Sequence, residues 1–195
     1  MAAAALRRGE LVVFPTETLY GLGADATAAA AVERLVAARG RTPGKPILVL
    51  VRDLAMALAV ATEVPAAARR LAARFWPGPL TLVLPARAEL PPALTAGTGT
   101  VGVRVSSHPL AAALVAALGR PVTAPSANPP GAEPPRRLAE ARAYFADAVA
   151  AWIDGGTLPG GASTVAAVED GRVRVLRAGT IAAAALEAVL AEEGR

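Results

Sequence analysis

Short runs of β-forming residues and Ala-rich stretches of helical length take turns along most of this chain, and that alternation leaves few ways to bury its apolar faces. The runs are Leu11 to Phe14, Ile47 to Val51, Leu80 to Leu84, Val101 to Val105, Val122 to Ala124, Val149 to Ile153, Thr164 to Val168 and Arg172 to Leu176. Each is short, apolar and bounded by Gly, Pro or polar residues, as strands are. Helical stretches fall near Ala28 to Ala38, Leu54 to Ala61, Pro65 to Phe75, Pro109 to Leu118, Arg136 to Ala146 and Ile181 to Glu192. Thr27 and Asp53 read as N-caps, Pro65 as a first-turn residue, and Gly40 and Gly119 as C-terminal stops. Such an order predicts a three-layer α/β fold with helices on the faces of a twisted sheet. Between the last two runs stand Glu169, Asp170 and Gly171, and Asp-Gly is the usual pair of a tight type I′ hairpin. The sheet is therefore expected to mix parallel and antiparallel strands.

At 195 residues the chain is sized for one domain of about 150 residues or a little more, and no repeat, charge block or linker divides it. With 54% hydrophobic and 18% charged residues it has the composition of a chain that builds a core. The absence of Cys excludes a cysteine nucleophile, an iron–sulfur cluster and any Cys-containing zinc site, and a single His excludes histidine clusters. The longest apolar runs, such as Leu54 to Ala61 and Leu110 to Leu118, fall far short of the ~20 residues of a membrane span. Charges at Arg7 and Arg8 follow a very short apolar stretch, the reverse of a secretory signal, so a cytoplasmic protein with no membrane partner is expected. Net charge +4 and a pI near 10.6 permit nucleotide or RNA partners without demanding them. Against 19 Arg there is one Lys, Lys45, and one Asn, Asn128, with no Gln. A chain that otherwise dispenses with amides and lysine keeps these two.

Four segments carry chemistry. In Phe14-Pro15-Thr16-Glu17-Thr18-Leu19-Tyr20-Gly21-Leu22-Gly23-Ala24-Asp25, hydroxyls, a carboxylate and a phenol leave a buried strand together and lead through a polar turn into a helix. Such a cluster serves a ligand, or merely satisfies the backbone of a turn. Arg39-Gly40-Arg41-Thr42-Pro43-Gly44-Lys45-Pro46 sets three cations on a proline-braced segment, as polyphosphate recognition requires; a solvated loop is the plainer alternative. Val122-Thr123-Ala124-Pro125-Ser126-Ala127-Asn128-Pro129-Pro130-Gly131 offers the Ser126 hydroxyl and the Asn128 amide, suited to a nucleotide or to a turn before Pro129. Gly155 to Thr164 holds four glycines and two late hydroxyls, as a lid or a long connection would. Arg104 lies mid-strand, facing solvent or a polar site, and Arg177 follows the final hairpin. His108, before Pro109, reads as a cap or surface residue, and Trp76 as packing for a turn. There is no Walker A motif, no G-x-G-x-x-G and no G-x-S-x-G.

Taken together, FPTETLYGLGADA (14 to 26), RGRTPGKPI (39 to 47), FWPGPLTLVLP (75 to 85), LTAGTGTVGVRV (94 to 105), APSANPPG (124 to 131) and the AST and LRAG pieces near the end resemble the YrdC-type family of threonylcarbamoyl-AMP synthases. Several motifs in the right order over most of the chain make the resemblance specific. It implies a YrdC-like fold in the short, single-domain form over residues 1 to 195. It further implies that ATP, L-threonine and bicarbonate give threonylcarbamoyl-AMP and pyrophosphate, with Mg2+ accompanying ATP. The product would pass to downstream tRNA threonylcarbamoyl-transfer proteins, with tRNA itself a possible partner. By position, the resemblance puts Arg39 where a family lysine contacts ATP phosphate and Arg41 on the threonine carboxylate; Lys45 nearby, counted with them as a catalytic cation, would compensate for the replaced lysine. Thr18 and Tyr20 would line the threonine pocket with Ser163 near the amino acid, while Ser126, Asn128, Arg104 and Arg177 would hold the nucleotide. Departures from the family pattern stand at Arg39, Leu50, Ala162, Ala167 and Ala178. A non-catalytic module of the same fold that binds tRNA or double-stranded RNA is the alternative.

Overall fold

The computed structural model describes residues 1–40 and 44–192. Its elements run α1 (Ala2–Arg7), β1 (Leu11–Pro15), β2 (Tyr20–Gly23), α2 (Ala29–Arg39), β3 (Leu48–Leu50), α3 (Leu54–Ala57), α4 (Ala66–Phe75), β4 (Leu80–Pro85), α5 (Pro92–Thr95), β5 (Thr100–Arg104), α6 (Pro109–Leu118), β6 (Val122–Thr123), α7 (Leu138–Phe145), β7 (Val149–Trp152), β8 (Thr164–Glu169), β9 (Arg172–Arg177) and α8 (Ala183–Ala191). All eight expected strands and six expected helices are present. The mixed α/β architecture holds, with its strands divided between two sheets.

The smaller sheet has the order β2-β1-β7 and the larger the order β6-β3-β5-β4-β8-β9. β1 runs antiparallel to β2 and parallel to β7, which is why its Leu11, Val12, Val13 and Phe14 are buried on both faces. In the larger sheet β4 pairs antiparallel with β5 and parallel with β8, while β3 lies parallel to β5 and antiparallel to β6. The hairpin of β8 and β9 closes as the Asp-Gly pair predicts, with both Asp170 (φ 50°) and Gly171 (φ 74°) left-handed.

The segment after β1 departs from expectation. Instead of passing from a turn into a helix, the chain reverses at Thr16 to Leu19 and returns as β2, with Val13 opposite Leu22 and Phe14 opposite Gly21. Gly23 permits this. A Cβ on Gly23 would stand 2.9 Å from the Phe14 ring, so a side chain there would force the two apart, whereas one on Gly21 would lie at an ordinary contact distance of 3.5 Å. The free edge of β2 meets the segment around β6 through isolated bridges at Gly21–Ser126 and Asp25–Val122 and a bond from Leu22 N to Pro125 O of 2.9 Å. That seam joins the two sheets.

At the helix ends Asp53 caps α3, accepting from Met56 N at 2.7 Å, and Gly40 and Gly119 close α2 and α6 as expected. Thr27 is not a cap. Its hydroxyl donates to Asp25 Oδ1 at 2.7 Å, and Ala28 takes the cap position without a side-chain bond. The helix expected to reach Ala61 ends at Ala57, since Ala61 pairs with Ala86 in an isolated bridge. One apolar cluster packs α1, α4 and α6 against the larger sheet, and a second joins β1, β2, α2 and α7.

Candidate functional site

A cavity of about 660 Å3 opens between the two sheets. Its walls come from the β1–β2 turn, the C-terminal end of α2, the segment entering β3, the middle of β4, the approach to and end of β5, the residues after β6, and the facing ends of β8 and β9. Thr18, Tyr20, Arg39, Lys45, Arg104, Ser126, Ser163 and Arg177 all line it. Residues that the sequence singled out on separate segments thus share one space. Arg41, expected on the threonine carboxylate, lies outside the described residues. Asn128 is not among the lining residues; its Nδ2 donates to Pro129 O at 2.9 Å and Ala132 O at 2.8 Å, so its amide shapes the loop that carries Ser126.

Arg39 is delivered by the last turn of α2, where a cation also complements the helix dipole. Its Nε donates to Ser126 O at 2.9 Å and its Nη2 reaches Ser126 Oγ at 3.5 Å, which ties the first cationic segment to the Ser-x-Asn segment. Burial lowers the pKa of this guanidinium. On the opposite wall Arg177 Nη2 donates to Ser163 O at 2.9 Å and Ser163 Oγ at 3.1 Å, and Ser163 Oγ meets Thr81 Oγ1 at 2.9 Å. Arg104 ends β5 only 2% exposed. Burial is the chief cause that pushes its pKa down, Glu17 opposes the shift, and the nearby charge of Arg177 adds to it. Lys45 is exposed and borders the cavity.

Both readings of the hydroxyls in the β1–β2 turn prove true in part. Thr16 Oγ1 donates to Leu19 O at 2.7 Å and lies 3.1 Å from Thr18 Oγ1, a turn that satisfies itself, yet both threonines face the cavity. The Tyr20 hydroxyl donates to Gly156 O at 2.8 Å, lies 3.2 Å from Asp154 Oδ1 and accepts from Gly155 N at 2.9 Å. Burial raises its pKa, and it acts as a tether for the glycine-rich segment. That segment is further held by Gly160 N to Thr18 O at 3.0 Å and Leu158 N to Arg136 O at 2.8 Å, with Leu158 buried. His108 caps α6 by accepting from Leu110 N, and Trp76 Nε1 donates to Leu80 O at 2.7 Å, as their neighbours in sequence suggested.

Sequence reasoning missed Thr81, Thr98, Thr100 and Gly102, which supply the floor and rim, and the pairing of Glu17 with Arg104. Thr81 was visible as a lone hydroxyl between leucines in a buried strand, the same signal that marks Arg104. Among the described residues four cations and eight hydroxyl side chains line the cavity, and no carboxylate does. Fixed guanidinium groups in a partly dry cleft hold oxyanions, and hydroxyls around them supply donors at positions where charge develops.

A family model described as Telomere recombination, covering Sua5, YciO and YrdC, matches residues 4–179. A threonylcarbamoyl-AMP synthase of Bacillus subtilis is 43% identical over 97% of this chain and 55% of its own length. A crystal structure of Pyrococcus abyssi Sua5 complexed with L-threonine is 40% identical with a TM-score of 0.92, covering 96% of this chain and 56% of that one. E. coli YciO is 31% identical with a TM-score of 0.82, covering 92% and 87%. The chain thus spans little more than half the length of the first two, while it matches nearly the whole of the third. Both the sequence match and the superposable fold show that this chain belongs to the Sua5/YciO/YrdC family.

Proposed function

We propose that this chain is a threonylcarbamoyl-AMP synthase, a nucleotidyltransferase that makes threonylcarbamoyl-adenylate and pyrophosphate from L-threonine, bicarbonate and ATP in the cytoplasm for tRNA modification. The observation that carries the proposal is the convergence of Arg39, Lys45, Arg104 and Arg177 on one cavity without a carboxylate among its described lining residues. A site for neutral or cationic ligands has no use for that arrangement. Relatives named for this activity and the relative bound to L-threonine support the same reading.

In this reading threonine and bicarbonate condense with loss of water to the carbamate, and a carbamate oxygen attacks the α-phosphorus of ATP while pyrophosphate leaves. The protein contributes position and charge. Arg39, with Ser126 beside it, holds phosphate at the α2 end of the cavity, and Lys45 adds charge at the rim. Arg41 takes the amino-acid carboxylate, Thr18 and Ser163 border the amino acid, and Arg177 and Asn128 order the nucleotide and its loop. Among the described residues no group of three His, Asp or Glu side chains is placed to hold a metal. Magnesium would enter with ATP, as the companion of its phosphates, and would offset the charge that leaves with pyrophosphate.

Pyrophosphate release from ATP with magnesium and bicarbonate tests the proposal. Release is expected to depend on L-threonine over serine and glycine. Arg41→Ala is expected to raise the KM for threonine roughly tenfold or more, as loss of a charged hydrogen bond does. No release under any condition, with RNA bound in a strongly salt-dependent manner, would replace this reading with the RNA-binding one.

A further inference from the structure

Arg104 stands apart from the other guanidinium groups at the cavity. Arg39 and Arg177 each bond a carbonyl, whereas no hydrogen bond joins the Arg104 guanidinium to a described residue. Among the described residues its ion-pair partner is Glu17, whose Oε1 lies 3.6 Å from Arg104 Nε with the two side chains 13% and 3% exposed. That separation is too long for a hydrogen bond, so both atoms are buried without one. The other carboxylate oxygen, Oε2, accepts from Ser106 Oγ, and Ser106 Oγ in turn accepts from His108 N at 3.2 Å. A line of contacts therefore runs from the main chain at the start of α6 through Ser106 and Glu17 to the Nε edge of Arg104.

The line crosses between the sheets. Glu17 sits on the β1–β2 turn of the smaller sheet, and Arg104 and Ser106 sit at the end of β5 in the larger one. Glu17 is not itself a lining residue, whereas Arg104 is. Charge makes the same point: Arg177 lies close enough to Arg104 to disfavour a second positive charge, and Glu17 opposes that effect. A buried guanidinium with open donors is costly, and remains in a fold when something completes it.

We propose that Glu17 is a positioning residue for the reaction inferred above: clamped by Ser106, it holds Arg104 by its Nε edge so that the two Nη groups meet an oxyanion of the substrate. The proposal rests on the synthase reading, which supplies two such oxyanions, the amino-acid carboxylate and an ATP phosphate. Either presents a pair of oxygens that a guanidinium edge fits. Before substrate arrives Glu17 offsets the mutual repulsion of Arg104 and Arg177, so no reorganisation is needed when the anion binds.

Calorimetric titration of the full chain with L-threonine alone and with magnesium–ATP alone tests this, together with melting curves and pyrophosphate-release kinetics. The variants are Glu17→Asp, Glu17→Gln, Ser106→Ala and Arg104→Lys. Glu17→Asp and Ser106→Ala keep the negative charge, and are expected to melt close to the parent while weakening one of the two ligands roughly tenfold, as a misplaced charged hydrogen bond does. The ligand that moves identifies the oxyanion, and the KM for the same substrate rises with a smaller change in kcat. In the Arg104→Lys background Glu17→Asp should cost nothing further, because the two residues act as one unit. Glu17→Gln should weaken that ligand more, and if it fails to fold the charge-retaining variants still decide. Charge-retaining variants that bind both ligands as the parent does, or that lose both equally with a lowered Tm, would overturn the proposal. A parent chain that binds neither ligand would overturn it along with the synthase reading, which separates the two failures.

Discussion

Gly179 and Gly119 show how two glycines answer to different physics. A Cβ on Gly179 would fall 2.4 Å from Ala162 O, Ser163 C and Thr164 N, all of them backbone atoms that cannot turn aside. At Gly119 such an atom meets nothing within 4 Å, but φ is +75°, where L side chains are strained. Gly119→Ala is therefore expected to cost about 1–2 kcal/mol of stability. Gly179→Ala should cost more and also push Ser163 out of place, weakening substrate binding; equal melting curves and equal titrations for the two variants would refute the distinction. Much of the site was legible at this scale. Lone polar residues in apolar surroundings, such as Arg104, and the single Asn and Lys stand out without any coordinates. What each contacts was not legible: Asn128 serves its own loop, and Tyr20 tethers a segment 134 residues away.

Elements followed local signals where those signals were the main energy at stake. Asp53 caps α3 because its carboxylate accepts from Met56 N, and that bond, with help from Arg52, holds its pKa below the ordinary value. A depressed carboxylate contributes stability above its unfolded pKa and loses it as pH falls through the folded one. Asp53→Ala is expected to cost about 1 kcal/mol at neutral pH, a drop in Tm of about 2–4 °C for a chain of this size. The difference between the two proteins should vanish as the pH is taken below that of the folded carboxylate; a gap that persists there would show that the cap is not electrostatic. Thr27 carried the same sequence signal and did something else, since the buried Asp25 beside it offered a stronger acceptor. β2 was missed for a related reason. Tyr20-Gly21-Leu22-Gly23 has weak strand propensity, and its pairing brings Gly23 against the Phe14 ring, where a Cβ would stand 2.9 Å away.

At the scale of the molecule, two apolar clusters and two sheets meet along the seam of β2 and β6 and at the cavity. Trp76 packs against the larger cluster and Trp152 against the smaller, so Trp152→Phe and Trp76→Phe leave one reporter in each. In each variant the fluorescence and far-ultraviolet circular dichroism midpoints are expected to coincide, as for one cooperative unit; separate midpoints would reveal two units. Leu82→Ala and Leu22→Ala, one deletion in each cluster at side chains 1% and 0% exposed, should each lower stability by about 2–5 kcal/mol within the same transition. The order of eight of the nine strands and six of the eight helices among the described residues, the closing hairpin and the exclusion of thiol and histidine-cluster chemistry follow from the sequence by itself, because propensity, period and composition act over a few residues. Tertiary structure alone decided that the strands form two sheets, that four dispersed cations face one cavity, and that Glu17 answers Arg104. Those outcomes depend on contacts between residues as far apart as Arg39 and Ser126, separated by 87 positions, whose meeting is set by the packing of the whole chain and by no local preference.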